Sequence, residues 1–145
     1  MIEIKNDNLI IDKKTTPINQ INMIQSAKGK LYFSNSIVEI SEKPYDINEV
    51  YEKLQSAGCS NFVLIDNVII NVSNVDSTYI KYFQYAGISI FQCDKKNAEM
   101  YMLVLNCKNG RAENIFYRSA KEAEKAYHKL DDSIIDFKTA QLTLN

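Results

Sequence analysis

The sequence predicts an α+β fold in which two tandem units, residues 1–58 and residues 59–145, pack as one body. Each unit is a β-meander of antiparallel strands closed by one C-terminal helix. Short apolar runs alternate with turns containing Asn, Asp or Gly, and each unit ends on apolar residues at helical spacing. Because this order of elements occurs twice, we expect an internal duplication.

The first unit opens with a β-hairpin. Apolar residues 2–4 and 9–11 flank Lys5-Asn6-Asp7-Asn8, and Asn and Asp tolerate the positive φ values of tight hairpin turns. Pro17 suits the start of a strand, and later turns are expected at Lys28-Gly29 and Ser34-Asn35. These signals predict three further strands, at residues 18–24, 31–33 and 37–40.

A helix closes the first unit. Ile47, Val50, Leu54 and Ala57 recur at intervals of three and four residues and form one apolar stripe. Asp46 and Glu49 can each satisfy a backbone N–H at the start of the helix, as in a capping box. Gly58 can adopt the left-handed conformation that ends many helices.

The second unit repeats these elements. Asn8 to Asp12 align with Asn67 to Asn71 at an offset of 59 residues, and the helix segments around Leu54 and Leu130 align at an offset of 76. The difference of 17 residues predicts an inserted hairpin, with strands at 100–105 and 114–117. Ser119 and Glu122 form the capping box of the second helix. The tail at 133–145 is apolar at intervals, and we expect it to dock on the fold.

Composition limits the classes of function. Lys and Arg number 17 and Asp and Glu 18, so a general phosphate-backbone or anionic-membrane binder is disfavoured and we predict no nucleic-acid partner and no membrane. No apolar stretch approaches the roughly 18 residues of a membrane span. The first eight residues carry Glu3 and Asp7 where a signal peptide would be basic, which predicts a cytoplasmic protein.

The sequence contains no recognisable catalytic, cofactor or metal motif. Cys59, Cys93 and Cys107 form no CxxC pair, which fits a reducing compartment. His128 is the single histidine, so neither a histidine metal cluster nor a Ser-His-Asp triad can be assembled. The four glycines permit no phosphate-binding loop. We therefore predict a protein that is not an enzyme and has no cofactor.

The segment from Tyr79 to Tyr85 is unusually rich in aromatic residues. In strand geometry Tyr79, Lys81, Phe83 and Tyr85 share one face, whereas Tyr82 belongs to the other. Three interpretations stay open: ordinary sheet packing, a Tyr-rich protein contact, and base stacking with nucleic acid. The candidate partner-contact residues are Tyr79, Lys81, Tyr82, Phe83, Tyr85, Arg111 and Arg118.

The leading hypothesis is a structural or protein-interaction component, plausibly of a phage virion, that assembles with other protein subunits as a homo- or hetero-oligomer. The 19 Ile and 15 Asn indicate an AT-rich genome, which favours a phage origin and hence the virion or the host cytoplasm as its location. One alternative is a single-stranded nucleic-acid binder that uses the aromatic segment with Lys95, Lys96 and the two arginines. Another is a small phage-encoded inhibitor of a host system.

Overall fold

Three antiparallel sheets and two helices make up the computed structural model, which describes residues 2–28, 30–34 and 38–144. The first sheet contains β1 (Ile2–Lys5), β2 (Asn8–Ile11) and β3 (Lys14–Pro17). The central sheet has the order β6-β5-β4-β8-β7, with β4 (Met23–Ala27), β5 (Lys30–Ser34), β6 (Val38–Ile40), β7 (Phe62–Ile65) and β8 (Val68–Asn71). The third sheet has the order β10-β9-β11-β12, with β9 (Val75–Ala86), β10 (Ser89–Gln92), β11 (Met100–Cys107) and β12 (Ala112–Tyr117). The helices are α1 (Ile47–Ser56) and α2 (Ala120–Leu144). The α+β class is therefore confirmed.

Local signals placed the hairpin turns and the first helix correctly. Asp7 and Asp66, which the sequence alignment pairs, both have positive φ, at 62° and 53°. Asp46 caps α1, because its Oδ1 accepts a hydrogen bond from the backbone N–H of Asn48 at 3.0 Å. Gly58 has a φ of 82° just beyond the helix, as its predicted terminating role requires.

One predicted strand is displaced. Asp12 and Lys13 both have positive φ and form a tight turn that starts β3 at Lys14, so Pro17 ends a strand instead of starting one. A 3₁₀ turn then occupies Ile18–Gln20, and the next strand begins at Met23. Of the other predicted features of this unit, Gly29 and residues 35–37 lie outside the described residues.

The central sheet has a hydrophobic core on each of its two faces. Ile24 and Ile69 are opposite each other on β4 and β8 and pack towards α1 and the first sheet. Their neighbours Met23 and Ile70 are also paired and pack towards the third sheet and α2. Successive side chains of a strand point to opposite faces of the sheet, so consecutive apolar residues on β4 and β8 contribute to both cores.

Helix α2 covers one face of the third sheet. The buried side chains of this contact are Leu103, Leu105, Ile115, Tyr117, Ala123, Ala126, Leu130 and Ile134. Phe137 also packs there, because the helix continues through the region expected to be a separate docking tail. With neither Gly nor Pro after residue 119, nothing in the local sequence ends the helix earlier.

The two predicted units share the central sheet, in which β4 pairs with β8. The order of elements along the chain is similar in both units: a hairpin, followed in the first unit by the extra strand β3, then a 3₁₀ turn, further strands and a helix. The pairing order differs, since β5 lies between β4 and β6 whereas β9 lies between β10 and β11. The division between residues 58 and 59 stays a prediction about the organisation of the chain.

Candidate functional site

The face of the third sheet opposite α2 is the most distinctive surface of the molecule, and we call it the open face. Strand register defines it, because residues directly opposite one another on paired strands point to the same side. Lys81 on β9 is opposite Met102 on β11, which is opposite Phe116 on β12. The other members are Tyr79, Phe83, Tyr85, Ile90, Gln92, Met100, Val104, Asn106, Ala112 and Asn114.

Large apolar side chains of the open face are exposed to solvent. Tyr79 is 40% exposed, Tyr85 48%, Ile90 50% and Phe116 58%, whereas Val104 is buried. Helix α2 packs against the other face of this sheet. Several large apolar side chains together on one surface are unusual for a sheet face that binds nothing.

Contacts between side chains order parts of the open face. The ammonium nitrogen of Lys81 lies 5.9 Å from the centre of the Tyr79 ring, within the range of a cation–π interaction. The Tyr85 hydroxyl donates to the sulfur of Met100 at 3.4 Å. These contacts place a cation beside one exposed ring and hold a second ring across the β9–β11 pair.

The open face carries little charge. Lys81 is the charged member among the strand positions that the register assigns to it, and those positions include no Asp or Glu. A surface with aromatic rings, methionines, amides and one lysine can stack against flat apolar groups and can hold one anion. The register confirms that Tyr79, Lys81, Phe83 and Tyr85 share this face.

Two of the predicted contact residues lie elsewhere. Tyr82 points to the α2 side, where its ring meets that of Tyr101 edge to face with centroids 6.0 Å apart. Lys95 is on that side too, because its ammonium group binds Glu124 of α2 at 3.0 Å. This hydrogen bond with Glu124 raises the pKa of Lys95. Both residues therefore belong to the α2 side of the sheet, where they line a cavity that Tyr79 also reaches.

The two arginines have different surroundings. Arg111 forms an ion pair with Glu113, which is buried, and its Nε donates to Ser34 Oγ on β5 at 3.1 Å. The Ser34 hydroxyl also donates to the Glu113 carboxylate. Arg118 is exposed in the bend between β12 and α2. Only Arg111 is thus held in a fixed position by described neighbours.

The sequence reasoning missed the residues that β10, β11 and β12 contribute to the open face. Phe116 is the main omission, because it is the most exposed aromatic of this surface and lies two strands from Lys81. The regular alternation of exposed and buried residues along β12 follows the sequence pattern and could have indicated its outward direction. Its position in line with Lys81 of β9 depends on strand pairing across β11, which the pattern does not give.

The three cysteine thiols have raised pKa values. Burial raises the pKa of the Cys107 thiol to about 11, and burial also raises the pKa values of Cys59 and Cys93. These thiols are therefore protonated at neutral pH. Among residues 2–28, 30–34 and 38–144, no three His, Cys, Asp or Glu side chains are grouped so that they could hold a metal ion. His128 lies against Tyr127 of α2.

Comparison with known proteins gives one remote structural likeness. No protein-family model matches the sequence, and no curated protein matches it. A solved structure that resembles the chain is the LytTr DNA-binding domain of a methyl-accepting/DNA response regulator from Bacillus cereus. The two sequences are 16% identical, and the match covers 90% of this chain and 94% of the Bacillus cereus chain. The TM-score of the superposition is 0.46. Within the described residues, no helix is long and apolar enough to span a membrane.

A neighbour of this kind contradicts two predictions from the sequence. The hypothesis of a phage virion component is wrong, because the similar structure is described as a DNA-binding domain. The prediction that nucleic acid is not a partner is contradicted by the same finding. Net charge averages over the whole surface, so a value near zero does not exclude a local site for a polyanion. AT-rich composition reflects codon usage and carries no information about binding.

Proposed function

We propose that this chain is a non-enzymatic protein that binds single-stranded nucleic acid on the open face of the third sheet. The observation that supports the proposal most strongly is the exposure of Tyr79, Tyr85 and Phe116 on a single sheet face. Aromatic side chains stack on nucleic-acid bases, and each such contact is worth about 1–3 kcal/mol. We further propose that the protein works in the cytoplasm, which fits three free cysteines with raised thiol pKa values.

Single strands fit this surface better than duplexes do. In a duplex the flat faces of the bases are stacked on one another, whereas an unpaired strand can turn them outward onto a protein surface. Duplex binding depends more on cations that contact phosphates. Lys81 is the cation of the open face, so the described surface offers rings for bases and few charges for a duplex backbone.

The charge of the chain sets the expected strength of binding. A net charge of −1 provides no long-range attraction for a polyanion, so affinity has to come from short-range stacking and from the few cations at the site. Two or three stacked bases at about 1–3 kcal/mol each, together with the few phosphate contacts, leave a modest net free energy of binding once the cost of ordering the strand is met. We therefore expect a dissociation constant in the range of roughly micromolar to tens of micromolar at low salt.

Fluorescence anisotropy with labelled oligonucleotides tests the proposal. A mixed-sequence single strand of about ten nucleotides is titrated with the protein at low salt, beside the duplex of the same sequence. We expect saturable binding of the single strand and weaker binding of the duplex. Absence of binding at tens of micromolar protein would reject nucleic-acid binding, and a preference for the duplex would reject the stacking site.

A further inference from the structure

A groove adjoins the open face along β12 and separates that strand from the central sheet. Its volume is about 390 Å³. Gln25 and Tyr32 of the central sheet line one side, and Arg111 and Asn114 line the other. Phe116 belongs to both surfaces, since it lines the groove and is also a member of the open face. A strand stacked on Phe116 would therefore lie next to the groove.

Arg111 is held in this groove by one end of its guanidinium group. The Nε atom makes the ion pair with Glu113 and the hydrogen bond to Ser34 Oγ. The carboxylate of Glu113 is anchored in turn by the Ser34 hydroxyl. The terminal nitrogens Nη1 and Nη2 have no hydrogen-bond partner within the described part of the chain. The Arg111 side chain is 33% exposed, and the contacts at Nε fix the plane of its guanidinium group, so the four N–H donors of Nη1 and Nη2 are oriented before any ligand arrives.

We propose that Nη1 and Nη2 of Arg111 bind a backbone phosphate of the nucleic acid whose bases stack on the open face. The inference rests on the function proposed above and adds a phosphate site to it. A planar fork of N–H donors matches the oxygens of a phosphodiester, and hydrogen bonds between ionised groups are among the strongest in proteins. The amides of Gln25 and Asn114 line the same groove and can bond to sugar or base edges of the same nucleotide.

The ion pair with Glu113 determines what kind of anion site this is. Glu113 balances the charge of Arg111, so the pair attracts a distant anion only weakly. A phosphate in the groove is therefore bound by short hydrogen bonds to donors that are already oriented. Long-range electrostatic attraction contributes little to its binding. We expect the site to act on a strand already held by stacking, and to set where that strand leaves the open face.

Arg111→Lys is the variant that separates the two roles of the side chain. The ammonium nitrogen of lysine lies one bond beyond the position of Nε, within reach of the Glu113 carboxylate, so that contact can form and the buried charge keeps a partner. The fork of terminal donors is lost. Lys53→Gln, on the exposed side of α1, is the control, because it removes one positive charge far from the groove.

The experiment compares two single strands of the same sequence, one with normal phosphodiesters and one with an uncharged methylphosphonate backbone. We expect Arg111→Lys to weaken binding of the phosphodiester strand about tenfold and to leave binding of the uncharged strand within twofold of the unmodified protein. Equal affinity of the unmodified protein and Arg111→Lys for both strands would overturn the phosphate site and leave the stacking function standing. Failure of the unmodified protein to bind either strand would overturn both proposals.

A second measurement requires no substitution. The chain contains two arginines, Arg111 and Arg118, so the side-chain Nε–Hε signals in a ¹⁵N-labelled sample are few and assignable. We expect the Arg111 signal to shift when the phosphodiester strand is added and to stay in place with the uncharged strand. The Arg118 signal is the internal control. A bound phosphodiester strand that leaves the Arg111 signal unchanged would overturn the proposal.

Discussion

The ammonium nitrogen of Lys81 lies 5.9 Å from the centre of the Tyr79 ring, so a positive charge and an exposed aromatic ring occupy adjacent positions on the open face. A stacked base on Tyr79 would bring its phosphate within reach of this lysine. The pair thus joins the two interactions on which binding of a single strand depends.

Removal of the Lys81 charge is expected to change the salt dependence of binding. A protein cation that neutralises one phosphate of a single strand contributes a slope of about −0.7 to the plot of log affinity against log salt. We predict that Lys81→Gln makes this slope shallower by about 0.7, whereas Lys81→Arg keeps it. Lys121→Gln, in the first turn of α2, is the control. The same slope for Lys81→Gln and the unmodified protein would show that Lys81 contacts no phosphate of the bound strand.

The buried carboxylate of Glu113 is expected to matter for stability more than an exposed ion pair does. Glu113→Ala leaves the Arg111 guanidinium and the Ser34 hydroxyl without their acceptor, which should lower the free energy of unfolding by about 2 kcal/mol. Glu124→Ala is the control, because its pair with Lys95 is exposed at both ends and should cost at most about 0.5 kcal/mol. Urea denaturation measures both values. Equal losses for the two variants would contradict the structural role of Glu113.

The contact between Tyr45 and Asp12 predicts how stability depends on pH. The Tyr45 hydroxyl donates to the Asp12 carboxylate, and this bond lowers the pKa of Asp12 and raises that of Tyr45 to about 12. The raised tyrosine pKa gives a contribution that is complete below pH 10 and is lost as the pH rises towards 12. The lowered carboxyl pKa gives a contribution present above about pH 3.8, the ordinary value for Asp, and lost as the pH falls further.

Tyr45→Phe removes this bond and tests that dependence. The difference in unfolding temperature between the unmodified protein and the variant should be largest at neutral pH and shrink at both extremes. Tyr51→Phe on α1 is the control for loss of a tyrosine hydroxyl from the same core. A difference that stays constant from neutral pH to the strongly alkaline range would show that the Tyr45 hydroxyl donates no hydrogen bond that stabilises the fold.

Local sequence patterns were sufficient for individual elements of the fold. The turn at Asp66, the cap at Asp46 and the shared face of Tyr79 to Tyr85 each depend on residues within one element or one hairpin. The length of α2 was also readable, because Ala126, Leu130, Ile134 and Phe137 continue one apolar stripe through the region expected to be a tail. Such features follow from backbone geometry and the period of the side chains.

Long-range pairing decided the rest of the structure and most of the candidate site. The bond from Ser34 to Glu113 joins residues 79 positions apart, and the pairing of β4 with β8 unites the two predicted units. Neither has a local signal. The open face likewise exists only once β10, β11 and β12 align beside β9, which brings Phe116 into line with Lys81. The function predicted from charge and composition was wrong because both average over surfaces that the fold separates.

The β9–β10 hairpin provides the most direct test of the central claim, which is that single strands bind on the open face. Tyr85 and Phe91 have nearly the same exposure, at 48% and 49%, but their register places them on opposite faces of the hairpin. The measurement is the anisotropy titration of a single strand with Tyr85→Ala and with Phe91→Ala. We predict that Tyr85→Ala weakens binding roughly tenfold, as expected for one lost stacking contact, and that Phe91→Ala binds like the unmodified protein. Equal losses for both variants, or a larger loss for Phe91→Ala, would contradict binding on the open face.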